Sequence, residues 1–155
     1  MKNIKLREAN INDSEMLLHW RNDPAARQAS FNSKLVGEKE HQKWFRAVLR
    51  DPKRKIYVAE NAAGEKIGMI RMDIANGGNV EISINLAPEM RGKGYGKAII
   101  SEACRQRKGS RFFVARAKEM NHASVKVFEK AGFVKLFDYL DERRRKIIVL
   151  LWSKK

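Results

Sequence analysis

Along "VEISINL" (80–86) apolar and polar residues alternate. Val80, Ile82, Ile84 and Leu86 fall on one side, and Glu81, Ser83 and Asn85 on the other. That period of two is the mark of a β-strand. Residues 37–51 follow a different period. His41, Trp44, Phe45, Val48 and Leu49 recur at i, i+3, i+4, i+7 and i+8, which predicts an amphipathic helix. Further strands are predicted over 2–9, 55–60, 66–74, 112–117, 133–139 and 146–153, and the strand of "VEISINL" begins at 79. "NAAGE" (61–65) and "NGG" (76–78) supply turns, and Pro88 stops the strand before it. Helices are predicted over 12–20, capped by Asp13 or Ser14, over 95–107, and over 121–132 between Asn121 and Gly132. Asp23–Pro24 breaks the first helix and can begin another turn.

The resulting order is β-α-α-β-β-β-α-β-α-β-β. Hairpins and crossovers alternate in it, so it predicts a mixed α/β sheet with helices on both faces. No composition shift, linker or repeat divides the 155 residues, and residues 1–155 read as a single domain.

Composition narrows the class. Hydrophobic residues make up 43% and charged residues 33%, which suits a globular chain. No apolar run reaches the ~18 residues of a membrane span, and "MKNIKLREAN" lacks the apolar core of a signal peptide. The single cysteine, Cys104, excludes an internal disulfide and a cysteine-based zinc cluster. A cytoplasmic protein without membrane partners is expected. The formal net charge of +15 favours anionic partners, either a polyanion or a phosphorylated small molecule.

"RGKGYG" (91–96) lies between a strand and a helix, with glycine at every second position. Backbone N–H groups at a helix N-terminus are unpaired and attract anions, and glycines let a phosphate approach. A dinucleotide-binding unit is disfavoured, because that loop follows a first strand and needs an acidic residue ~20 positions on, where this chain has Arg111. Together with "NHASVKVFEKAGF" (121–133), the loop resembles the GNAT N-acetyltransferases, which use acetyl-coenzyme A (acetyl-CoA). Their signature is Arg/Gln-x-x-Gly-x-Gly/Ala after the fourth strand, followed by Asn-x-x-Ala/Ser and an aromatic on the last helix.

The resemblance implies a mixed, mostly antiparallel sheet of about seven strands, splayed between strands 4 and 5. It implies that Arg91, Gly92, Lys93, Gly94, Tyr95 and Gly96 hold the pyrophosphate of acetyl-CoA. The pantetheine arm is then expected along the open edge of the fourth strand, near Leu86, and Asn121, Ser124 and Phe128 complete the cofactor set. No metal is expected.

Acetylation requires a neutral amine, hence a proton acceptor. Glu81, on the polar face of its strand, is the first candidate for the base; His41, on the apolar face of its helix, is the second. Many family members protonate the leaving thiolate with a tyrosine where this chain has Phe128; Tyr139 and Tyr95 are the substitutes available. "HWRNDP" (19–24) and "EKEHQKWF" (38–45) are similar to GNAT members that acetylate nucleotide-linked amino sugars, as in pseudaminic acid biosynthesis. That similarity implies Trp20, Arg21 and Asn22 as acceptor contacts and an anionic sugar nucleotide as substrate. A ribosomal-protein-type N-terminal acetyltransferase is the alternative within the class. A basic nucleic-acid-binding module is the alternative outside it, disfavoured because no recognisable binding motif is present. The oligomeric state stays open, a homodimer included.

Overall fold

Strands β2 (Arg54–Asn61), β3 (Lys66–Ile74) and β4 (Val80–Leu86) form an antiparallel meander in the computed structural model, which describes residues 2–154. β1 (Ile4–Glu8) pairs antiparallel with β2 at one edge. β5 (Phe112–Lys118), β6 (Val134–Leu140) and β7 (Lys146–Ser153) extend the other side, giving a seven-stranded sheet in the order β1-β2-β3-β4-β5-β7-β6. The β4–β5 pair alone is parallel, which requires a crossover, and α4 (Tyr95–Gln106) supplies it.

That parallel pair is short. Val80 pairs with Phe113 and Glu81 with Val114, and the pairing ends there. Glycine at position 68 is part of the reason. A Cβ on Gly68 would lie 2.9 Å from the Asn85 carbonyl oxygen, so glycine lets β4 lean onto β3. From Ile82 onward β4 presents unpaired backbone groups towards β5. The expected splay is therefore present, in the expected fold.

The strand alternation sorts the two faces. On one, Ile70, Met72, Val80, Ile82, Phe113 and Leu150 are buried beneath α4 and α5 (His122–Lys130). α4 contributes Ile99, Ile100, Ala103 and Cys104. Burial pushes the Cys104 thiol pKa up to about 12. On the other face, α1 (Ser14–Asn22) and α3 (Glu38–Arg50) pack Leu17, Trp20, Phe45 and Val48 against Ile56 and Val58.

Three details depart from expectation. Leu49 is 38% exposed, because the α3 stripe ends at Val48. The turn after Asp23 continues into a six-residue helix, α2 (Pro24–Ala29), whose first N–H groups bond to the Asp23 carboxylate. Asp13 does not cap α1 through its side chain. Its carboxylate accepts from Asn10 N at 2.8 Å and from both Arg7 Nη atoms at 2.8 Å, closing a 3-10 turn ahead of α1.

Candidate active site

Where β4 parts from β5, a cavity of about 460 Å³ opens. Ser83, Ile84 and Asn85 line it from β4, and Arg116 and Ala117 from β5. Asn121, Ser124 and Phe128 line it from the start and middle of α5. The wall opposite comes from α1, α3 and the segment after α2, including Arg21, Phe31 and His41. The polar side of β4 read from its alternation thus faces the cavity at two of its three positions.

The sequence-predicted cofactor residues fall into two groups. Asn121 caps α5, its side chain accepting from Ser124 N at 3.2 Å, and Phe128 is buried edge-on against Phe133 with ring centroids 5.1 Å apart. These three border the cavity. Leu86 and residues 91–96 lie beyond it, at the C-terminal end of β4.

The three glycines of that loop do different things. Gly92 and Gly94 have φ of 73° and 83°, the left-handed region that side chains disfavour. Gly94 is the N-cap of α4, no side chain caps the helix, and its first-turn N–H groups are left for an anion. Gly96 is buried. A Cβ there would lie 2.7 Å from Val127 Cγ2, so this glycine serves the approach of α5 to α4.

Arg91 departs from its expected role. Its Nη1 donates to Asp23 Oδ2 at 2.6 Å and its Nη2 to Leu86 O at 3.2 Å, so the guanidinium braces the loop against the start of α2. The Arg91 hydrogen bond holds the Asp23 carboxyl below the usual carboxylate range. Positive charges beside the loop include Lys93 and Lys97, both exposed, and Lys2, whose Nζ sits 4.6 Å from the Tyr95 ring centroid.

On the acceptor side, two expected contacts are structural instead. Trp20 is 5% exposed and belongs to the core under α1, because the indole fills space between α1 and β2. Asn22 donates to Val36 O at 2.8 Å and accepts from Val36 N at 2.9 Å, a two-way brace between α1 and the segment before α3. Arg21 does line the cavity.

His41 is buried and lines the cavity, with Nδ1 3.3 Å from Ser14 Oγ. Burial lowers its pKa, so the ring is neutral at physiological pH. The tautomer with Nδ1–H donating to Ser14 Oγ leaves Nε2 as an acceptor. Glu81 stands beside the cavity and does not line it. Its carboxylate accepts from Arg116 Nε at 2.6 Å, and Arg116 Nη1 donates to Tyr139 Oη at 3.1 Å.

Arg71 and Arg116 were not anticipated. Arg116 lies on the face of β5 opposite the buried Phe113, Ala115 and Ala117, and a charge on a central strand was the available signal. Among the described residues no cluster of three or more metal-ligating side chains occurs, and no helix is long and apolar enough to cross a membrane.

A splayed β4–β5 pair, a glycine-capped helix N-terminus after β4 and a cavity between them define the acetyltransferase architecture. The family described as "Acetyltransferase (GNAT) domain" matches residues 3–134. The chain belongs to the GNAT acetyltransferase family and is an N-acetyltransferase. The Bacillus subtilis protein YwnH, assigned provisionally as a phosphinothricin acetyltransferase, is 30% identical over 138 residues, 84% of this chain and 83% of that protein. The uncharacterised Methanocaldococcus jannaschii protein MJ1062 is 29% identical over 136 residues, 85% of this chain but 28% of that much longer protein. Among solved structures, spermidine N-acetyltransferase from Vibrio cholerae, crystallised with CoA and spermine, superimposes with a TM-score of 0.88. It is 19% identical, with 97% of this chain and 95% of that one covered. The two relatives whose names state a substrate point to phosphinothricin and to a polyamine, and neither is named for an amino sugar.

Proposed function

We propose that the protein transfers the acetyl group of acetyl-CoA to the amine of an anionic small molecule, a nucleotide-linked amino sugar in our reading. The observation that supports an anionic acceptor is the charge of the cavity wall. Arg21, Arg71 and Arg116 line it, and Glu40 is the one carboxylate that does. Arg71 and Arg116 are partnered by Asp73 and Glu81, but a polyamine, cationic at several nitrogens, needs carboxylates facing it. One glutamate is a poor match.

The cofactor half fits acetyl-CoA. The free β4 edge offers hydrogen bonds to an extended amide chain, as an added strand does. The N-terminus of α4 suits a pyrophosphate, flanked by Lys2 and Lys93. Asn121 and Ser124 present polar atoms between the two. Acetyl-CoA supplies an activated thioester acetyl group, and the remaining work falls to residues of this chain.

The acceptor's ammonium must lose a proton before it attacks. His41 carries this role in our reading: it reaches the cavity, burial favours its neutral form, and the tautomer whose Nδ1–H donates to Ser14 Oγ has Nε2 free to accept a proton. Glu81 is the second reading, favoured by its place on β4, and Arg116 then has to release it. Phe128 has no proton to give, so thiolate departure does not depend on that position. A CoA thiol near the ordinary ~8.5 leaves as an anion without great cost.

The test has two stages. Thiol release from acetyl-CoA should depend on an added amine, and a screen should favour a UDP-linked 4-amino sugar over spermidine and basic N-terminal peptides. In the base assignment, His41→Gln should lower turnover by ~10²–10⁴-fold with acetyl-CoA affinity nearly constant. If Glu81→Gln does this and His41→Gln does not, the role passes to Glu81.

A further inference from the structure

Backbone pairing between β4 and β5 stops at Glu81 and Val114, and a side-chain link takes over there. Were the strands to run on in the same register, Arg116 would face Ser83. It reaches back instead, and its Nε donates to Glu81 Oε1 at 2.6 Å. On the other side its Nη1 donates to Tyr139 Oη at 3.1 Å, so the link passes over β7 to reach β6. It crosses β7 at Ile147 and Val149, both buried. Phe31 lies against the guanidinium, 5.4 Å from ring centroid to Cζ. The group is thus held at both ends and on one face.

The side chains of Glu81 and Arg116 are 35% and 42% exposed, and a pair so wet adds little to global stability. Its place matters more than its strength. Beyond Glu81 and Val114 no backbone bond joins β4 to β5, so none of that kind fixes the gap between them. A guanidinium is a planar fork with fixed donor directions, and it can set a distance where a flexible ammonium cannot. A fork of strands free to vary in width takes up an extended chain only in the fraction of molecules with the right gap. The apparent affinity falls by that fraction.

We propose that the Glu81–Arg116–Tyr139 link is a clamp that sets the width of the β4–β5 fork, with Arg116 the positioning residue for the pantetheine arm of acetyl-CoA. The charge of Glu81 then serves Arg116 and not the acceptor's proton. This rests on the reading that the arm lies in the fork, and it is independent of which amine is acetylated.

Calorimetry tests it without an acceptor. The probes are acetyl-CoA and the adenine-nucleotide half of CoA, which lacks the pantetheine arm. Arg116→Met keeps an apolar stem against Phe31 and removes the donors, and Glu81→Ala removes their acceptor. In each variant the affinity for acetyl-CoA should fall about three- to five-fold, the upper scale of one partly exposed ion pair. The double variant should lose no more than either single one, because both break the same link. The nucleotide half, which in our reading meets only the loop ahead of α4, should bind every variant as it binds wild type. Arg116→Lys keeps the charge on a flexible stem; it should recover part of the loss, and it serves if the methionine variant misfolds. The clamp is overturned if Glu81→Ala or Arg116→Met binds acetyl-CoA as tightly as wild type, which leaves Glu81 free for the base role. It is overturned equally if the losses add in the double variant, or if the nucleotide half weakens in step with acetyl-CoA. Wild type that binds no acetyl-CoA removes the cofactor reading itself, and the clamp with it.

Discussion

Residues 91–96 and residues 30–36 are both irregular stretches beside one substrate path, built by opposite means. The first is shaped mainly by its own residues, two glycines at positive φ and then an uncapped helix start, with one distant tie from Arg91 to Asp23. The second is shaped by residues from elsewhere in the chain, the farthest being Arg145, 114 positions from Phe31. Anion binding by the first is a property of a few consecutive peptides. The second depends on three separate parts of the chain arriving correctly: α1 with Arg21 and Asn22, α2 with Arg27, and the turn before β7 with Arg145.

Substitutions can separate the two. The largest effect is expected at Gly94. A valine there has to adopt a left-handed conformation, costing ~1–2 kcal/mol, and its side chain crowds the anion site. Acetyl-CoA affinity measured by calorimetry should fall by ~10–100-fold, with acceptor preference intact. Gly96→Val, two residues on, should act instead through packing, since its Cβ meets Val127. A loss of ~1–3 kcal/mol in denaturant stability is expected, with a smaller change in cofactor affinity. If the two variants behave alike, the division of labour among the three glycines is wrong.

The same contrast governs what the sequence revealed. Strand alternation at 80–86, the helical stripe of 37–51 and the cap at Asn121 are short-range patterns, and each appears in the structure within a residue or two. So do the left-handed Gly94 ahead of α4 and the placing of Asn121 and Ser124 at the cavity. The failures concern long-range partners. Whether Trp20 faces a ligand or the core depends on β2, about forty residues away, and nothing within "HWRNDP" encodes it. Arg91 looked like a free cation because Asp23 lies 68 positions earlier. Glu81 was read without its partner, because Arg116 belongs to another strand.

A smaller effect is expected from Arg145→Ala, which removes one tie from Phe31 O. The Michaelis constant for the acceptor should rise a few-fold, about three-fold, with acetyl-CoA affinity unchanged. A change confined to acetyl-CoA would erase the proposed independence of the two segments.

The smallest effect near neutrality concerns pH. The Arg7 hydrogen bonds hold the Asp13 carboxyl below the usual carboxylate range, against the opposing effect of burial. The folded state therefore binds this proton less readily than the unfolded state. The stability it contributes is present above the unfolded value of ~3.9 and drains as pH falls through that value towards the folded one. Melting temperatures of wild type and Asp13→Asn between pH 6 and 2 should converge as acid removes what the substitution has already removed. Because Arg7 and Asp13 join β1 to the approach to α1, hydrogen exchange should rise in the acceptor half before α4 or α5.

Cys104 has a practical consequence for every one of these measurements. The chain has no other thiol, this one is 3% exposed, and its anion is strongly disfavoured. The attacking species in thiol chemistry is the thiolate. In the native protein a chromogenic disulfide reagent therefore has one fast target, the CoA set free by each turnover, and the enzyme adds no background. In denaturant the same reagent finds Cys104, one equivalent per chain. A single reagent thus counts turnovers in buffer and unfolded molecules in urea, and can tell a variant that has lost its chemistry from one that has lost its fold.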